Sequence, residues 1–308
     1  MELRKDGAWD AGARGPVMNE EPKMSRIHRA VAKAEREGLL TWTSGDDRGG
    51  RTAAATAEPV TLPPPSAPFP EPPSFEAPEP ADAVALSPLF VAANEPDSPA
   101  AEQYRLLRTR LEGRDRGRHS HVVLVTSPGV GDGKTITSAN LALTMAQEFQ
   151  HTVVLVEADM RRPALAALFG VRPEPGLVDV LVGAATLEDA LVSVPGHNLF
   201  VLPAGQAAGR STELLASSMM SRVAEALRAR FDRIVIDTPP VTLADTHVLA
   251  RLADGVLFVV RAGVTPQPAL EHALAGVDRD RLMGIVLNAV ETTPSEYAYA
   301  GPAGRSGG

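Results

Sequence analysis

Residues 122–149 read VVLVTSPGVGDGKTITSANLALTMAQEF: an unbroken apolar run, a loop holding Gly129, Gly131 and Gly133, then Lys134 and Thr135 at the head of a helical pattern. Few backbones accommodate this order. An apolar run without alternation suits a strand buried on both faces. Glycines let successive amide N–H groups turn toward one point. A helix starting there adds the positive end of its dipole. The stretch therefore specifies a phosphate cradle at the carboxyl end of a strand. Lys134 would reach the β- and γ-phosphates, and the Thr135 hydroxyl would face Mg²⁺. One departure from the usual spacing stands out. Pro128 occupies the place, five residues before Gly133, where a glycine is normal, so Gly129 and Gly131 must supply the freedom.

The rest of the chain from residue 98 alternates in the same manner. Short Val-, Ile- and Leu-rich runs at 121–126, 152–157, 199–202, 233–237, 255–260 and 284–288 read as strands. Helical segments are expected at 134–149, 163–169, 211–230, 243–253 and 266–275. Ser98 before Pro99 marks a further helix start. Alternating units of this kind imply an α/β fold: a doubly wound, mostly parallel sheet of the P-loop NTPase class. Such sheets bind ligands at the carboxyl ends of their strands. Two acidic sites fall there. VVLVEADMRRP delivers Glu157 and Asp159, and RIVIDTPP delivers Asp237. Carboxylates on that rim can hold Mg²⁺ or accept a proton from a hydroxyl. A lone strand-end carboxylate is otherwise a helix cap.

Composition narrows the function. The chain has 308 residues, a formal net charge of −8 and no cysteine. The acidic balance argues against nucleic acid as a partner. Disulfides, thiolate metal sites and thiol nucleophiles are excluded. No apolar run approaches the ~20 residues of a membrane span, so we expect a cytoplasmic protein with no direct membrane span. Residues 1–23 are polar and read as a disordered extension, and 24–41 as an amphipathic docking helix. Residues 42–97 are rich in Pro and Ala and read as an extended linker. Residues 98–292 form the expected P-loop domain, and 293–308 a mobile tail with Tyr297 and Tyr299.

SPGVGDGKT, VVLVEADMRRP and IVIDTPP together resemble the Walker A, A′ and B motifs of the bacterial protein tyrosine kinases, the autokinases of capsule and exopolysaccharide synthesis. PGLVDVLVG, ELLASSMM and ADGVLFVVRAGVT extend the resemblance over about residues 98–290, and MSRIHRAVAKAEREG is similar to the start of the exosortase-associated form. The resemblance implies ATP and Mg²⁺ as cofactors. It places Gly129, Gly131, Asp132, Gly133, Lys134, Thr135, Ile136, Arg161 and Asn288 around the nucleotide. It gives Thr135, Asp159 and Asp237 to the metal, and makes Lys134, Glu157, Asp159 and Asp237 catalytic. Glu157 stands where the family has an aspartate that takes the tyrosine proton, so the base is Glu157 or Asp159. Tyr297 and Tyr299 become phosphoacceptors, modified in trans by a neighbouring subunit. Glu102, Arg105 and Arg108 match a helix motif that assembles a ring; within one chain they also suit a solvated charged face. A transmembrane co-polymerase, the chain-length regulator, would act as activator and recruit the kinase to the inner face of the membrane. A switch ATPase of the partition or septum-placement type, or a nucleotide-binding scaffold, stays open as the alternative.

Overall fold

The computed structural model describes residues 86–113, 121–148, 151–206 and 209–290. The expected extension 1–23, the docking helix 24–41, most of the Pro- and Ala-rich tract, and the tail with Tyr297 and Tyr299 lie outside the described residues. In chain order the elements are α1 (Val91–Asn94), α2 (Pro99–Glu112), β1 (His121–Thr126), α3 (Lys134–Met145), β2 (Val153–Glu157), α4 (Leu165–Phe169), α5 (Leu177–Leu181), α6 (Leu187–Ala190), β3 (Val192–Ser193), β4 (Leu199–Leu202), α7 (Ser211–Leu215), α8 (Ser218–Arg230), β5 (Arg233–Asp237), α9 (Ala244–Ala250), β6 (Gly255–Arg261), α10 (Gln267–Ala275) and β7 (Leu282–Asn288).

The strands form one sheet in the order β3-β4-β2-β5-β1-β6-β7. Every pairing is parallel except β3 with β4. The unalternating apolar runs are explained by the two cores. Val122, Leu124, Val154, Val156, Ile234 and Ile236 face one core, with side chains of α5, α6, α8 and α9. Their neighbours Val123, Val125, Val153, Leu155 and Val235 face the other, with side chains of α3 and α4. The strand interiors are thus apolar whichever way a residue points, and the charged groups fall at strand ends.

Sheet order also builds the site. β5 lies between β1 and β2, with Asp237 in register with Val125 on one side and Glu157 on the other. The carboxyl ends of all three strands therefore come together at the rim that carries the β1–α3 loop.

Some expectations change. The linker was expected to run to residue 97, yet Phe90 within it is fully buried, its ring centroid 4.6 Å from that of Phe169. Asn140 of α3 holds this segment: Nδ2 donates to Leu89 O at 3.1 Å, and Oδ1 accepts from Ala92 N–H at 3.0 Å. An aromatic in a Pro- and Ala-rich tract escapes a composition-based reading, although removing a buried Phe costs about 3–5 kcal/mol. The helix expected at 211–230 is two, α7 and α8. Ser217 breaks it: its hydroxyl donates to Leu214 O at 2.7 Å and accepts from Met220 N–H at 3.3 Å as the cap of α8. The helix from 134 ends at Met145, short of 149. Strand β3 and helices α5 and α6 were not anticipated as elements. They are short, and tertiary packing rather than periodicity creates them.

Candidate active site

The loop before α3 takes the form its glycines allow. Gly131 and Gly133 have φ of 86° and 96°, in the left-handed region that side chains resist. Gly133 is the residue before the helix, no side chain caps that end, and the first turn carries no acid. The leading amides of a largely buried helix are left for an anion. Asn288, from the end of β7, closes the loop from behind, with Nδ2 donating to Asp132 O at 3.0 Å. A Cβ on Gly133 would meet that Nδ2 at 1.9 Å, so the glycine is required by contact as well as by φ.

Asp237 sits beneath the loop and is 1 % exposed. Its Oδ1 lies 3.2 Å from Ser138 Oγ, and the nearby Thr135 hydroxyl favours the ionised carboxylate. Its Oδ2 is buried with no hydrogen-bond partner among the described residues. Burial raises the Asp237 carboxyl to about 7, against the pull of the Lys134 charge and the Thr135 hydrogen bond. A buried carboxylate oxygen without a partner, next to a threonine hydroxyl, is the donor set a hard divalent cation takes. The residues present therefore fit Mg²⁺, which Thr135 and Asp237 would hold with Asp159 nearby.

Lys134 and Asp159 face one another in the same cleft, Nζ to Oδ2 at 3.2 Å. Asp159 Oδ1 accepts from the Arg162 N–H at 3.2 Å. Glu157 is placed otherwise. It is 1 % exposed, and its Oε1 accepts from the N–H groups of Ala164 and, at 2.6 Å, Leu165, while Oε2 accepts from Ala204 N–H at 3.2 Å. Burial pushes its carboxyl up, and these three amides pull it back. Glu157 thus clamps the start of α4 to the loop after β4. The longer side chain in place of aspartate reaches amides, and its oxygens are committed to them.

Other site residues from the sequence are distributed more widely. Gly129 donates its N–H to Asp132 Oδ2 at 2.9 Å, and Ile136 of α3 is partly buried against the core. Arg161 is half exposed and turned to the fully buried Asp245, with Nε to Oδ2 at 3.0 Å. Asp245 also accepts from the Ser211 hydroxyl at 2.9 Å and from the Thr212 hydroxyl. On α2, Arg105 is bound within the chain to Glu102 Oε2 and to Pro96 O, both at 2.7 Å. Arg108 reaches across to Thr144 O at 2.9 Å and lies near Glu112 and Glu148 at 3.5 and 3.3 Å. Asp245 and Ser138 were not among the residues singled out from the sequence. Ser138 had a faint signal, one helical turn beyond Lys134, whereas Asp245 meets Arg161 only through the fold.

Comparison with known proteins places this site. The AAA domain family model matches residues 121–278. Tyrosine-protein kinase YwqD of Bacillus subtilis is 34% identical over 215 residues, which are 68% of this chain and 90% of YwqD. Succinoglycan biosynthesis transport protein ExoP of Rhizobium meliloti is 32% identical over 204 residues, 64% of this chain but only 26% of ExoP. The solved kinase domain of Escherichia coli tyrosine kinase ETK superposes with a TM-score of 0.61 at 26% identity, over 66% of this chain and 82% of that one. With the AAA domain model matching half of its length and a tyrosine-protein kinase 34% identical over 90% of that relative, the chain belongs to the bacterial tyrosine-protein kinases built on an AAA-type domain.

Proposed function

We propose that this chain uses ATP and Mg²⁺ to phosphorylate tyrosine hydroxyls, Tyr297 and Tyr299 of a neighbouring copy among them, and so regulates assembly or export of a surface polysaccharide. The observation that carries the chemistry is the convergence of Lys134, Asp159 and Asp237 on the uncapped end of α3. The amides of that end and Lys134 bind and orient the phosphates. Thr135 and Asp237 would hold Mg²⁺, which when bound neutralises charge on the phosphates. The acceptor oxygen forms its bond to the γ-phosphorus as the bond to the β-phosphate oxygen breaks, and ADP leaves. Asp159 takes the phenolic proton, because Glu157 is committed to three backbone amides and Asp159 is released when Lys134 turns to the phosphates.

The setting follows the relatives. The matched sequence makes up a quarter of ExoP, a transport protein, and this supports a transmembrane co-polymerase as the partner that activates the kinase at the inner membrane face. Among the described residues no helix is long and apolar enough to cross a membrane. Ring assembly through Glu102 and Arg105 requires exchanging their internal ion pair for one between copies.

The experiment is incubation of purified protein with ATP labelled at the γ-phosphate, alongside the Tyr297→Phe/Tyr299→Phe variant. Label on the protein that disappears in the variant supports the kinase. Release of inorganic phosphate with no labelled protein would instead assign a switch ATPase.

A further inference from the structure

We propose that Thr265 is a positioning residue for the nucleotide, a latch that holds the phosphate loop in its binding shape from outside the loop. The inference rests on the reading of that loop as an ATP cradle. Thr265 stands between β6 and α10 and is 8 % exposed. Its hydroxyl donates to Asp132 Oδ1 at 2.7 Å and accepts from the Arg261 N–H at 2.9 Å. One hydrogen and one lone pair are thereby assigned, so the direction of both bonds is fixed. The other Asp132 oxygen accepts from Gly129 N–H at 2.9 Å. Asp132, itself 4 % exposed, thus ties the first glycine of the loop to a residue just after β6, the strand next to β1. Arg261 Nη1 adds a long contact to Gly131 O at 3.4 Å.

Two physical problems of this loop are answered by the latch. The first is freedom. Gly131 and Gly133 adopt left-handed conformations at little cost, but glycine adopts many others as readily. A charge-assisted hydrogen bond at Asp132, between those two glycines, selects one of them. The second is charge. An aspartate in a loop that receives a polyanion opposes binding unless its carboxylate faces elsewhere. Thr265 and the Gly129 amide engage both of its oxygens and leave the cradle to other backbone N–H groups and Lys134. Released from Thr265, the carboxylate is free to swing toward the phosphates.

The test is MgATP binding, followed with a fluorescent ATP analogue, and steady-state phosphate transfer to a tyrosine-containing peptide. Thr265→Val keeps the shape and removes the hydroxyl. We expect its Kd and KM for ATP to rise about tenfold, the worth of one charge-assisted hydrogen bond, with kcat altered less than about threefold. Thr265→Ser restores the hydroxyl and returns both to near the wild-type value. Because the latch acts through Asp132, the double variant Asp132→Ala/Thr265→Val binds no more weakly than Asp132→Ala alone. Wild-type affinity in Thr265→Val, no recovery in Thr265→Ser, or additive losses in the double variant would each overturn the latch while leaving the cradle intact. Failure of the unaltered protein to bind MgATP would overturn the cradle itself, and the latch with it.

Discussion

Lys134 Nζ and Asp159 Oδ2 stand 3.2 Å apart, with side chains only 12% and 4% exposed. At this depth neither charge is stable without a partner, so the pair completes the cleft in the absence of a polyanion. On the proposed function, phosphates would compete for the lysine and free the aspartate.

We therefore expect Lys134→Met to weaken ATP binding by about a hundredfold or more, since it removes a charge-assisted contact and leaves two carboxylates facing one another. Lys134→Arg should not restore it, because the planar guanidinium does not substitute for a point charge in this space. Calorimetric titration with MgATP decides; unchanged affinity in Lys134→Met contradicts the assignment.

Acid should weaken metal-linked binding. Asp237 is raised by burial to about 7, so the folded protein keeps a proton there that the unfolded chain has lost. Its contribution to stability is fully present below the unfolded value, about pH 4, and is lost as pH rises through 7. Mg²⁺ needs the ionised form. The affinity for MgATP should accordingly fall by up to about tenfold per unit below pH 7, with proton release on binding. Titrations at pH 6 and pH 8 in two buffers of different ionisation enthalpy measure both. Equal affinities and no proton release would refute the placement of Asp237 beneath the metal.

Glu157 should matter first for folding. Glu157→Ala strands the amides of Ala164, Leu165 and Ala204, and we expect a loss of about 2–4 kcal/mol in urea unfolding. Glu157→Asp, one methylene short, should fall between. Glu157→Gln keeps an acceptor oxygen for α4 and should retain tyrosine labelling to within about tenfold, whereas Asp159→Asn should lose the 10²–10⁴-fold contribution typical of a general base. The opposite ranking would return the proton to Glu157.

Gly133→Ala should abolish nucleotide binding. The added Cβ collides with Asn288 Nδ2 and sits at φ 96°. Asn288→Ala in the same chain removes the collision but not the backbone strain, so the double variant should regain only part of the stability, read from thermal unfolding. Full recovery would show that contact alone demands the glycine.

The two arginines of α2 should separate. Arg108 is anchored to Thr144 O of α3, so Arg108→Ala should lower the unfolding temperature. Arg105 pairs with the exposed Glu102, and Arg105→Ala should change stability by less than about 1 kcal/mol. If the α2 motif joins subunits, only the second variant combines normal stability with loss of assembly, seen by analytical ultracentrifugation.

The strand–loop–helix order around Lys134, the buried parallel strands and the delivery of Glu157, Asp159 and Asp237 to one rim could be read from the chain alone, because each is a local pattern. Apolar runs, glycine spacing and strand-end acids carry their meaning over a few residues. What each acid does could not be read this way. Glu157 and Asp159 are two residues apart and look interchangeable, yet one is taken by the amides of Leu165 and Ala204 while the other faces Lys134. The burial of Phe90, the turn of Arg161 to Asp245 and the bond from Thr265 to Asp132 join positions far apart in sequence. Those partners were chosen by sheet order and by the requirement that every buried polar group find one, conditions that only the folded chain imposes.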